Sequence, residues 1–227
     1  MTGPDGPRDV AARRPVRARR LVHRGPIWDV VADTVELSPG HAVEREVIDH
    51  PGAVAVVAMD DDGRVLLQRQ YRHPARREMW EPPAGLLDVD GEDARAAAER
   101  ELYEEADLRA ARWDVLVDYS TTPGGSTEAL RVFLARDLRP VPAEERFARE
   151  DEERDMPALW VPVDEAVEAV LAGDLHNPSA VVGVLAVAAA RDRGWATLRP
   201  ADAPWPERRT GRLTDAPPDP DGTGDGV

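Results

Sequence analysis

Three glutamates, Glu101, Glu104 and Glu105, stand in the run RELYEE, so that the second and third follow the first by three and four residues. A helix puts residues at those separations on one face, and the three carboxylates then point the same way. Like charges at this spacing repel one another, so the helix needs a counter-cation. A hard divalent metal, which takes oxygen ligands, is the natural candidate. Around this run, the stretch from Trp80 to Leu108 places a glycine turn, PPAG at 82–85, before the helix and brings Glu92 and Arg100 into its approach.

The elements that must position these groups follow from pattern and punctuation. The helix is expected over about residues 93–106, with Gly91, Glu92 and Asp93 placing acid at its positive end. Before it, IWDVVADTVEL and HAVEREVID alternate apolar and polar residues around SPGH and read as two paired strands between Leu21 and Ile48. AVAVVAM at 53–59 is an apolar run suited to a strand buried on both faces, and DDDG at 60–63 turns it into RVLLQRQYR. HPARREMWEPPAG reads as a loop, because each proline removes a donor and restricts its predecessor.

Strands are expected at 113–119 and 129–136, joined by STTPGGSTE, whose glycines allow the backbone close to a ligand. ALWVPVDEA then reads as a strand running into a helix, and residues 178–194 as a helix ending at Gly194. Strands flanked by helices imply an α/β class. The boundaries predicted are a basic disordered arm at 1–18, an N-terminal antiparallel sheet at 19–50, one catalytic domain at 51–206 and a disordered tail at 207–227.

Composition narrows the chemistry. The chain has no cysteine and no lysine, which excludes thiolate catalysis, zinc-thiolate sites, Schiff-base chemistry and a phosphate-loop lysine. Absence of disulfides fits a reducing, cytoplasmic setting. The net charge of −15 argues against coating nucleic acid through the overall field. Seven arginines in residues 1–25 leave an RNA-binding arm as an alternative to a solvated tail. No apolar run reaches the length of about 20 residues that spans a bilayer, so no membrane partner is expected.

Gly85, Glu92 and Arg100-Glu101-Leu102-x-Glu104-Glu105-x-x-Leu108 together resemble the signature of the Nudix hydrolase family. Seven residues, 93–99, separate Glu92 from Arg100, as in the family pattern. Two positions depart from it: six residues rather than five separate Gly85 from Glu92, and Asp107 replaces a glycine. The resemblance implies a Nudix-type α/β/α sandwich with a mixed sheet, plus the small N-terminal antiparallel sheet used in dimerisation. It also implies diphosphate hydrolysis dependent on Mg²⁺, with Mn²⁺ as the alternative. Glu101, Glu105, Glu104 and the Ala84 carbonyl would hold the metal, and Glu92 and Arg100 would orient them through a salt bridge. A solvated helix with three surface glutamates is the bland competitor, and Gly85, Glu92, Arg100 and PPAG weigh against it.

QYR at 70–72, WEPPAG at 80–85, TTPGGSTE at 121–128 and the acidic run ending DEERDM at 151–156 are similar to the ADP-ribose pyrophosphatase subgroup. That likeness implies that Arg72 meets the diphosphate or ribose, and that Thr122, Gly125 and Glu128 lie on a loop near the terminal ribose. It makes Glu152 the general base, with Glu153 next, and Trp28 a stacking partner for the adenine, a buried core tryptophan being the alternative. The implied assembly is a homodimer acting on a small nucleoside diphosphate sugar. Other nucleoside diphosphate sugars such as GDP-mannose, an oxidised nucleoside triphosphate, or a non-catalytic ADP-ribose sensor are the competing readings.

Overall fold

In the computed structural model, residues 6–149, 156–215 and 218–222 are described; Glu152 and Glu153 lie outside them. The chain forms two units, residues 1–50, 124–127 and 210–227 in the first, and 51–123 and 128–209 in the second.

The second unit is organised by β4 (Ala53–Ala58), whose six residues are all buried. Successive side chains of a strand point to opposite faces, so this strand must be covered on both sides. Val54, Val56 and Ala58 pack with Ala97, Ala98 and Leu102 of helix α1 (Ala94–Ala106). Ala53, Ala55 and Val57 pack with Val163 and Ala166 of α2 (Val163–Ala172) and Val184 and Val187 of α3 (Pro178–Asp192). The result is an α/β/α sandwich. Helix α3 lies so close that a Cβ at Gly183 would sit 2.8 Å from the Val57 side chain.

The middle layer is a mixed five-stranded sheet. Here β4 pairs in parallel with β9 (Ala129–Pro140) and antiparallel with the short β7 (Ala84–Leu86). Beyond β9 follow β8 (Leu108–Ser120) and β11 (Arg199–Pro200), both antiparallel to their neighbours. A second, antiparallel sheet orders β10 (Ala158–Pro162), β5 (Arg64–Arg72) and β6 (Arg77–Glu81). The segment 73–85 is therefore not a plain loop. Its prolines fall between elements: Pro74 opens a short 3-10 turn at His73–Ala75, and Pro82 and Pro83 separate β6 from β7.

The first unit is an antiparallel sheet of three strands rather than two, β1 (Val16–Arg24), β2 (Asp29–Ser38) and β3 (His41–Asp49). Its first strand begins inside the stretch read as a basic arm. VRARRLVHR lacks a clear apolar period because ion pairs hold it: Arg19 grips Asp33 through both Nε and Nη2 at 2.7 Å. Leu213 and Asp219, from the stretch read as a tail, also bond to this sheet. Leu213 is buried, its N–H donates to Asp49 Oδ2 at 2.6 Å, and its carbonyl accepts from Arg19 Nη1 at 2.7 Å. The Val16 N–H donates to the Asp219 carbonyl at 2.7 Å.

Arg19 thus joins β1, β2 and the C-terminal segment. Hydrogen bonding to Asp33 raises its already high pKa, and burial works against that. Replacing one member of a buried pair leaves the other charge uncompensated, so Arg19→Leu should destabilise by about 3–5 kcal/mol. Thermal or denaturant unfolding measures this.

Candidate active site

Helix α1 begins with Asp93, whose carboxylate accepts from the Ala96 N–H at 2.8 Å, and continues through an alanine-rich sequence of high helical propensity. The extra residue before Glu92 is taken up at Gly91, where φ is +79°, a conformation that favours glycine. At the other end Asp107 stands in the left-handed region at φ +52°, the place of the family glycine. Arg149 pairs with the Asp107 side chain and donates to the Glu104 carbonyl at 2.7 Å, placing positive charge at the negative end of the helix.

The face of α1 carrying the glutamates turns towards β7. A Cβ at Gly85 would come within 1.9 Å of Glu101 Oε1, so the Glu101 carboxylate occupies the space that any other residue would fill. Arg100 binds Glu92 through a bidentate fork at 3.1 and 3.0 Å. Its Nη1 donates to Glu101 at 2.6 Å and Glu104 at 3.3 Å. One guanidinium therefore serves three carboxylates, and the Glu92 bond is the largest cause that raises its pKa above the ordinary arginine value. Glu105 accepts from the Ala84 N–H at 3.0 Å, and its own carbonyl accepts from Gln68 Nε2 at 2.6 Å.

These bonds bring Ala84, Glu92, Arg100, Glu101, Glu104 and Glu105 into one cluster, four carboxylates against one guanidinium. Arg72, at the end of β5, forms an ion pair with Glu81 of β6 at 2.5 Å. Asn177, which caps α3, donates to the same carboxylate at 2.6 Å. Burial pushes the Glu81 carboxyl above its usual range, although the Arg72 and Asn177 hydrogen bonds oppose this.

The remaining candidates are placed differently. Trp28 belongs to the first unit, is half-exposed rather than a core residue, and stacks on His50 at 5.6 Å. Thr122 is exposed, and Glu128 accepts from the Thr121 hydroxyl at 2.5 Å. Gly125, in the first unit, accepts the Ile48 N–H through its carbonyl at 2.8 Å. A Cβ there meets nothing within 4 Å, so the loop has no steric need for that glycine.

Sequence reasoning missed Glu81, Asn177, Gln68 and Arg149. Asn177-Pro178 carries a usable signal, a capping residue followed by proline in the first helical position. Gln68 and Arg149 have none, because their partners lie 37 and more residues away, and Glu81, nine residues from Arg72, was hidden because the stretch holding β6 read as a loop.

Gly85→Ala should push the Glu101 carboxylate from its place. A misplacement on the scale of 1 Å predicts a loss of diphosphate hydrolysis of about 10²-fold. Unchanged circular dichroism would show that the fold survives, and near-normal turnover would refute the role of this close approach.

A model of the NUDIX domain matches residues 49–181, more than half of the chain. The chain is 48% identical over 189 residues to the ADP-ribose pyrophosphatase of Mycobacterium tuberculosis, covering 83% of this chain and 89% of that protein. It is 35% identical over 160 residues to the ADP-ribose pyrophosphatase of Bacillus subtilis, covering 70% and 84% respectively. A solved structure described as an ADP compounds hydrolase superposes with a TM-score of 0.68 at 21% identity, covering 83% of this chain and 100% of that one, which is a likeness of fold. The glutamate helix packed on a glycine, joined to these matches, establishes that the chain belongs to the Nudix family and is a pyrophosphohydrolase.

Proposed function

We propose that this enzyme hydrolyses ADP-ribose with water to AMP and ribose 5-phosphate, using Mg²⁺, with Mn²⁺ as the alternative. The observation that carries this reading is the carboxylate cluster gathered by Arg100 over Gly85, in a chain whose relative over most of its length is an ADP-ribose pyrophosphatase.

The residues fit a divalent cation. The donors are all hard oxygens, and four carboxylates exceed the single positive charge among them. No three acidic side chains among the described residues already converge as a formed metal site. Glu101 and Glu104 turn to Arg100, and Glu105 turns to the Ala84 N–H. In an extended strand the N–H and C=O of one residue leave by the same edge. The Ala84 carbonyl therefore leaves β7 on the side of Glu105, which supports Ala84, Glu101, Glu104 and Glu105 as the holding set. When bound, the cation neutralises diphosphate charge and lowers the pKa of a coordinated water.

The protein's own residues supply the rest. Arg72 meets the diphosphate oxygens with a planar fork of donors. Trp28 stacks on the adenine, and Thr122, Gly125 and Glu128 line the approach of the terminal ribose. Glu152, with Glu153 as the alternative, takes a proton from the attacking water as a P–O bond of the diphosphate breaks. Glu92 acts through Arg100, keeping the guanidinium aligned with Glu101 and Glu104.

The enzyme works as a homodimer assembled through the N-terminal sheet, where Leu21, Val22, Ile27, Trp28, Leu37 and Ile48 are exposed apolar residues. No helix among the described residues is long and apolar enough to cross a membrane. With the absence of cysteine, this supports a cytoplasmic setting.

A panel of ADP-ribose, GDP-mannose, ADP-glucose and 8-oxo-dGTP with Mg²⁺ tests the substrate. ADP-ribose should have the highest kcat/KM; preference for GDP-mannose would move the enzyme to another nucleotide sugar, and no turnover of any would favour a sensor. Glu105→Gln should abolish hydrolysis and weaken Mn²⁺ binding measured by electron paramagnetic resonance. Unaltered Mn²⁺ affinity would remove Glu105 from the ligand set. Glu152→Gln should lower kcat by about 10² to 10⁴ with the fold intact, and a smaller loss transfers the base to Glu153.

A further inference from the structure

Arg72 has two of its donors engaged within the protein. Nε donates to Glu81 Oε2 at 3.1 Å and Nη2 to Oε1 at 2.5 Å, a fork-to-fork pair. The Glu81 side chain is 7% exposed, whereas that of Arg72 is 44% exposed. The carboxylate thus holds the Nε–Nη2 edge of the guanidinium, and Nη1 lies on the side away from Glu81, where a phosphate oxygen could meet it.

Glu81 is itself held at two places. Asn177 Nδ2 donates to Oε2 at 2.6 Å, while Asn177 Oδ1 accepts from the Ala180 N–H at 3.1 Å and caps α3. In the sheet register Glu81 stands opposite Gln68, whose amide donates to the Glu105 carbonyl at 2.6 Å. Leu66, Gln68 and Arg72 share one face of β5 by strand alternation, and Leu66 belongs to the core beneath α1. One cross-strand pair therefore touches both the arginine and the last turn of the glutamate helix. A slip of one residue would turn both contacts to the opposite face.

We propose that Glu81 is a positioning residue of the enzyme: it sets the Arg72 guanidinium at a defined distance from the glutamate cluster so that its outer edge receives the substrate diphosphate. This rests on the functional reading above, in which Arg72 is the diphosphate arginine. Burial of a carboxylate is costly unless it is paired and hydrogen-bonded, and both of its partners here, Arg72 and Asn177, lie at element ends, outside the hydrophobic core.

A double-mutant cycle in the full chain tests it, with KM and kcat for ADP-ribose measured separately. Arg72→Ala should raise KM by about 10- to 100-fold, the range of a charge-assisted hydrogen bond. Glu81→Gln should raise KM by about tenfold with kcat within about twofold. In the Arg72→Ala background Glu81→Gln should add nothing further, because its effect passes through the arginine. If Glu81→Gln fails to fold, Glu81→Asp, which keeps the charge but withdraws it by one methylene, takes its place with the same expectation. Effects that add across the two sites, or a loss in kcat with KM unchanged, overturn the assignment of Glu81 and leave ADP-ribose hydrolysis standing. A wild-type chain that does not turn over ADP-ribose overturns the functional reading, and the positioning role with it.

Discussion

Carboxylates crowded on one helix face repel, and here a single guanidinium holds them together. Arg100 reaches back to Glu92 with two donors and forward to Glu101 and Glu104 with another nitrogen. Without it, the helix would carry the repulsion of its own glutamates through folding. With it, the cluster keeps a net negative charge small enough to fold around and large enough to attract a cation. The Glu92 pair matters because it clamps the plane of the guanidinium, so that the same group cannot swing to satisfy the other carboxylates at random.

The backbone then decides how close the cluster comes to the sheet. Gly85 is the one position of β7 where the Glu101 carboxylate would collide with a Cβ. Ala97, Ala98 and Leu102 on the same helix pack into the core under β4, so small side chains let α1 settle against the sheet. Glu105 closes the contact on the Ala84 N–H. Glycine, small core residues and a main-chain donor are three separate means to one end, the close seating of an acidic helix on a strand edge.

The sandwich could be read from residues because β4 is apolar at every position, and only a strand covered on both faces has reason to be. The glutamate helix was equally legible, since its spacing, its capping Asp93 and its glycine turn are all local. Elsewhere local rules misled. Pro74, Pro82 and Pro83 suggested a continuous loop, yet they punctuate β6 and β7 without interrupting them. The arginines of β1 hid a strand whose partners, Asp33 and Leu213, are supplied by other parts of the chain.

By itself, then, the sequence determined the reaction-bearing helix and the α/β layering, because these depend on periodicities of two and of 3.6 residues and on caps within a few positions, while the family was legible only through the resemblance of its glutamate motif. The tertiary structure alone decided that Asn177, 96 residues from Glu81, steadies that carboxylate, and that Gln68 reaches the end of α1. The same holds for the C-terminal segment, which Arg19 and Asp49 anchor to the first sheet. Side chains far apart along the chain meet only where packing brings their strands and helix ends together, and no spacing rule spans that distance.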